Sequence, residues 1–128
     1  MQYSIDKILD MPFDDAVNRV IEELKKEGFG VLTDIDVQTT LKKKLDVDFR
    51  KYRILGACNP PFAYKALQAE RKIGTMLPCN VIVQETEAGQ VEVSAIDPIA
   101  SMRAIENPNL QEIADEVQAK LKKVVAGL

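Results

Sequence analysis

The apolar residues of this chain switch between a spacing of two and a spacing near 3.6, and this alternation limits what the chain can fold into. A period of two marks a strand with one buried face, and a period near 3.6 marks a helix with one buried stripe. Tyr3, Ile5, Lys7 and Leu9 share a face of a first strand over Gln2 to Leu9. A helix follows from Phe13, with Pro12 near its first turn, where the missing N–H does no harm. Its stripe is Phe13, Ala16, Val17, Val20, Ile21 and Leu24, and Gly28 before Phe29 reads as a left-handed cap with its hydrophobic contact. Val31, Thr33, Ile35 and Val37 alternate as a second strand, and Leu41 and Leu45 continue as a short helix.

Tyr52 to Cys58 forms a third strand, with Tyr52, Ile54, Gly56 and Cys58 on one face. Asn59 and Pro60 are a helix N-cap and first-turn pair, opening a helix that runs to Gly74. Cys79 to Thr86 and Gln90 to Asp97 are two strands joined by the short loop Glu87-Ala88-Gly89. Asn107-Pro108 repeats the helix-start signal, and Leu110, Ile113, Ala114, Val117, Leu121, Val124 and Leu128 line one side of the last helix.

The order is β-α-β-(short α)-β-α-β-β-α in a single α+β domain over residues 1–128. Long helices between strands predict a mixed β-sheet with helices packed on one face, on a ferredoxin-like or duplicated split β-α-β plan. The other face, with Ile54, Val81, Val83, Val91 and Val93 as its apolar residues, is then left for a partner chain or a cavity.

Composition removes whole classes of chemistry. With no histidine, Ser-His-Asp and Cys-His catalysis and histidine zinc sites are excluded. Aromatic residues are 5% of the chain, tryptophan is absent and the formal charge is −3, so no nucleic-acid partner is expected. Two cysteines do not make a disulfide scaffold. Charges at Asp6 and Lys7 leave no apolar stretch for a signal peptide, and no apolar run is long enough for a membrane span. A cytoplasmic protein without membrane contact, cofactor or metal is the expectation.

Three groups of residues could still carry chemistry. Cys58 precedes a helix N-terminus, where free N–H groups and partial positive charge favour a thiolate or a bound anion. The plainer account is that Asn59 caps and Cys58 packs. Secondly, a three-residue loop after Thr86 sets Cys79 opposite Asp97, and the returning helix adds Glu70, giving a polar corner of Glu70, Cys79, Asn80 and Asp97. Here the plainer account is a structural corner in which Asn80 and Asp97 bond local backbone. Thirdly, Asp34 and Asp36, and the basic run Lys42-Lys43-Lys44, read as solvated faces. If the intervening helix makes a β-α-β crossover, Cys58 and Cys79 lie at opposite ends of parallel strands. Neither a disulfide nor a shared metal within one chain is then expected.

Leu55-Gly56-Ala57-Cys58-Asn59-Pro60, Ile73-Gly74, Leu77-Pro78-Cys79-Asn80-Val81 and Asp97-Pro98, with Gly28-Phe29-Gly30-Val31-Leu32 before them, resemble the bacterial and archaeal domain of unknown function 302 family. The resemblance runs through essentially the whole chain. It implies a compact, dimeric α+β domain with no established reaction. It also marks Cys58, Asn59, Pro60, Pro78, Cys79, Asn80, Asp97 and Pro98 as motif positions. The leading expectation is a non-catalytic small-ligand-binding or accessory domain acting as a homodimer. The alternatives are a thiol- or metal-handling protein using Cys58 or Cys79, and an enzyme using Glu70 and Asp97 as acid and base.

Overall fold

A computed structural model describes residues 2–128. In chain order its elements are β1 (Ser4–Leu9), α1 (Phe13–Lys26), β2 (Gly30–Asp36), α2 (Val37–Leu45), β3 (Tyr52–Cys58) and α3 (Pro60–Ala69). A 3₁₀ turn (Ile73–Met76) leads to β4 (Cys79–Glu85), β5 (Val91–Ile96), α4 (Pro98–Ser101) and α5 (Pro108–Ala126). The α+β class and the element order follow the sequence pattern, with α4 as an additional short helix. The predicted third-strand helix stops at Ala69 rather than Gly74, and the 3₁₀ turn takes up the remainder.

The five strands form one sheet in the order β1-β5-β4-β3-β2, and every neighbouring pair is antiparallel. The sheet is therefore antiparallel throughout rather than mixed. The reason lies in how the helices connect. β1 and β2 are the two edges, so the connection through α1 must traverse four inter-strand spacings, about 19 Å. Fourteen helical residues reach about 21 Å, which is enough. α3 does not return along the sheet. It packs on α5, and residues 70–78 bring the chain back to the end it left, so β4 pairs antiparallel with β3.

One face of the sheet is covered by α1 and α5. Val81, Val83, Val91 and Val93 point there and are 1% exposed or less. They belong to the core and not to an open apolar face, which corrects the sequence expectation. Leu55, Ala57 and Ala95 fill the same layer, with Val17, Val20 and Leu24 from α1 and Leu121 and Val124 from α5. A second apolar cluster of Ala66, Ile73, Met102, Leu110 and Ala114 lies where α3, α4 and α5 meet. Lys7 shares the inward parity of β1, and its ammonium donates to the Leu128 and Ala126 carbonyls at 2.8 and 3.2 Å. Arg19 donates to the Gly127 carbonyl at 2.9 Å, so two cations meet the C-terminal end of α5, where the helix dipole favours positive charge.

A bulge between Val31 and Thr33 shifts the parity of β2. Val31 stays with the core, while Thr33 and Ile35 pair with Gly56 and Ile54 on the opposite face, so these three do not share a face as their alternation suggested. At Gly56 the sheet has no room for a side chain. A Cβ there would stand 2.1 Å from Thr33 Oγ1 and 2.8 Å from Pro78 Cγ. Gly56→Ala is expected to lower stability by roughly 1–3 kcal/mol, read as a fall in the urea midpoint without a change in slope. An unchanged midpoint would show that Thr33 and Pro78 yield freely.

Candidate functional site

The antiparallel pairing of β3 and β4 brings the two cysteine motifs to one end of the sheet. Ala57 pairs directly with Cys79, and Cys58 is the next residue along β3. Cross-strand neighbours stand about 5 Å apart and successive residues about 3.4 Å, so the two cysteine Cα atoms lie about 6 Å from each other. This overturns the expectation that they sit at opposite ends. The crossover argument assumed parallel strands, and β3 and β4 are antiparallel. Both thiols are free; Cys58 is half-buried and Cys79 is 8% exposed.

Both cysteines line a cavity of about 290 Å³ between the sheet end and the helices α3, α4 and α5. Phe62, Ala63, Ala66 and Leu67 contribute from α3, Ile113, Ala114 and Val117 from α5, and Pro98 and Met102 from the α4 region. Ala57, Leu77 and Pro78 close the sheet side, with Phe29 and Leu32 from the segment after α1. Asn59 is the one polar side chain in the wall besides the thiols. The space exists because α3 and α5 meet through small residues, Ala63 and Ala66 against Ala114, where larger side chains would fill it. Those alanines were the sequence signal for the cavity, and periodicity alone passed over them.

Asn59 holds the N-cap position of α3, but its side chain does not cap the helix. Its Nδ2 donates to the Glu27 carbonyl at 3.1 Å, tying the start of α3 to the end of α1. Gly28 makes this approach feasible. Its φ is +87°, and a Cβ there would lie 3.2 Å from Asn59 Nδ2.

The predicted polar corner does not assemble. The β4–β5 register agrees with the loop argument, since Glu85 pairs with Val91 and Val81 with Ala95. The ladder stops before Cys79 could meet Asp97, because Asp97 donates its N–H to the Tyr3 carbonyl and its side chain turns to cap α4. Asp97 Oδ1 accepts from Ile99 N at 3.0 Å and Ala100 N at 3.4 Å, and both carboxylate oxygens accept from Gln118 Nε2 at 3.1 Å. Asn80 pairs with Gly56 and faces the other side of the sheet, where it is exposed. Glu70 is the C-cap of α3 and, like Asp97, does not line the cavity. The structure therefore brings Cys58, Asn59 and Cys79 together and leaves Glu70, Asn80 and Asp97 outside.

The remaining charged candidates lie elsewhere. Asp34 forms a two-point ion pair with Arg53, which holds the Asp34 carboxyl below its usual range chiefly through hydrogen bonding. Lys42 and Lys43 border a broad surface depression of about 660 Å³ with Asp48, and Lys42 pairs with Asp46 and Asp48. Among the described residues no group of three or more Cys, Asp or Glu side chains is placed to hold a metal, and no helix is long and apolar enough to cross a membrane.

The profile of the domain of unknown function DUF302 matches residues 5–128. The chain belongs to the DUF302 family. A crystal structure of an uncharacterized conserved DUF302 protein from Bacillus stearothermophilus superposes on it with a TM-score of 0.91 at 28% sequence identity, covering 98% of each chain. A search of curated proteins finds no match. The fold is thus shared over nearly the whole of both chains.

Burial, with a smaller contribution from the nearby Cys58 charge, pushes the Cys79 thiol up to about 11. Burial therefore favours the neutral thiol in the folded state. The stability this group contributes is present below pH 9, and it is lost as pH rises from there through about 11. Alkylation with iodoacetamide, followed by mass mapping, is expected to modify half-buried Cys58 first and to leave Cys79 protected until strongly alkaline pH. Equal rates at the two positions at pH 8 would contradict this environment.

Proposed function

We propose that this DUF302 protein is a non-catalytic binding domain whose cavity beneath α3 takes a small, largely apolar molecule. The observation that carries the reading is the wall itself: about 290 Å³ of hydrocarbon-lined space with two thiols and one amide. That volume stands at the lower end of the range typical of ligand pockets, roughly 300–1,000 Å³. The wall contains no carboxylate, ammonium or guanidinium, so it offers affinity through apolar burial and has no general acid or base of ordinary strength. The acid–base reading on Glu70 and Asp97 loses support, because neither lines the cavity.

Uptake of a small naphthalene fluorophore reports the cavity directly. Saturable fluorescence enhancement is expected for the native chain. Ala63→Leu, which adds volume to the wall, is expected to abolish it while the far-UV spectrum and melting temperature are retained. Equal uptake by a folded Ala63→Leu protein would defeat the reading.

A second reading concerns assembly. Ile35, Ile54 and Ile82 pair directly across β2, β3 and β4 on the face turned away from α1 and α5, and Ile35 is 48% exposed. A contiguous row of this kind is self-complementary about a two-fold axis, which suits a homodimer of this chain. It replaces the valine face as the support for a dimer. Two adjacent free thiols suit a reducing interior, and the cytoplasm is the compartment proposed. Ile54→Glu is expected to convert a dimer to a monomer in light scattering, and an unchanged mass for both proteins would remove this assembly.

A further inference from the structure

We propose that the sheet face turned away from α1 and α5 carries a second ligand site, a shallow groove for a neutral, hydroxyl-rich molecule of the saccharide class. The inference is independent of the apolar cavity, which lies on the helical side of the sheet.

Strand pairing builds the groove. Asp6 pairs with Ser94, and the same row continues through Ile82 to Ile54. Asn80 lies two residues from Ile82 on one side of this row. On the other side Glu92 pairs with Gln84, and Gln84 with Tyr52. Residues two apart on a strand share a face, so all these groups project opposite the buried Val81, Val83 and Val93. They line a depression of about 430 Å³ that lies mainly over β1, β5 and β4. That volume is within the range of ligand sites, roughly 300–1,000 Å³. Of the isoleucine row proposed for assembly, only Ile82 borders the groove.

Ser94 is the observation that points to a ligand. It is 9% exposed, and its hydroxyl makes no hydrogen bond among the described residues. No buried side-chain oxygen or nitrogen of those residues is sealed off without a partner, so the Ser94 hydroxyl opens on the groove. A hydroxyl this buried gains from a ligand group that can both donate and accept. Asn80 adds an exposed amide with two donors and one acceptor.

Charge narrows the ligand class. Asp6 and Glu92 line the groove, and no lysine or arginine does so among the described residues, which disfavours anions. The carboxylates already have neutral donors: Asp6 Oδ1 accepts from Ser4 Oγ at 2.8 Å, and Glu92 Oε1 from Gln84 Nε2 at 3.3 Å. Arg50 Nε in turn donates to Gln84 Oε1 at 3.0 Å, bringing a cation close behind Glu92. A cationic ligand would also leave the Ser94 and Asn80 donors unused. A sugar hydroxyl can donate to a carboxylate and accept from Ser94 or Asn80, while Tyr52 supplies apolar ring surface for the sugar C–H groups.

The full-length chain is titrated with neutral tetrasaccharides (maltotetraose, cellotetraose and chitotetraose) and followed by amide NMR. Saturable shifts at Asn80, Ser94 and Glu92 with at least one sugar are expected, and none with spermidine or inorganic sulfate. Ser94→Ala and Asn80→Ala are each expected to weaken the binding about tenfold while the melting temperature and dye uptake by the apolar cavity are retained. A panel that moves none of these amides would overturn the site. So would tighter binding of spermidine, or undiminished sugar binding by folded Ser94→Ala/Asn80→Ala. Shifts confined to Ile54→Glu would overturn it for the native chain, because a second copy then covers the groove. Sugar binding without dye uptake by the native chain would support the groove and overturn only the apolar-ligand reading.

Discussion

The pairing of β3 with β4 is the constraint on which the rest of the molecule depends. With Ala57 set against Cys79 and Leu55 against Val81, the chain between the strands must leave and re-enter the sheet at one end. A helix running back along the sheet would have made these strands parallel. α3 instead leans on α5, and the 3₁₀ turn at Ile73–Met76 reverses the path. Because α3 stands off the sheet, space opens beneath it, and because both strand ends reach that space, two distant cysteines share it.

The cavity persists through a few short-range contacts. Asn59 binds the backbone at the end of α1, which fixes where α3 begins. Asn107 accepts from Asn109 N and donates to the Ala69 carbonyl, tying the far end of α3 to the start of α5. Asp97 and Gln118 join α4 to the middle of α5. All but the Asn109–Asn107 bond are part-buried, so the helices cannot slide inward to fill the gap without stranding a polar group. Of the four residues of the predicted polar corner, Asp97 belongs to this framing, through Gln118 and the cap of α4.

The thiol environment follows from the same architecture. Cys79 lies at the start of a central strand, under helices and among hydrocarbon, so burial rather than any charged partner dominates its acidity. Cys58 stands at the end of β3, where the strand passes into α3, and keeps more contact with solvent. The two cysteines are therefore unlike in access although their backbones are neighbours. That asymmetry would be lost if either strand were shifted by one residue.

Much was legible in the sequence because it is local. Apolar spacing marked the five strands and the long helices, Asn-Pro pairs marked the starts of α3 and α5, and the Glu87-Ala88-Gly89 loop gave the β4–β5 register. These features depend on residues a few positions apart. The tertiary structure alone decided that β1 and β2 become opposite edges, that a bulge turns Thr33 away from Val31, and that Cys58 and Cys79 become neighbours. Strand order and helix docking are settled by contacts between segments tens of residues apart, whose energies leave no period in the chain. The sequence thus determined which residues form each element and which chemistry the chain lacks, and packing determined which cysteines become neighbours and where the cavity lies.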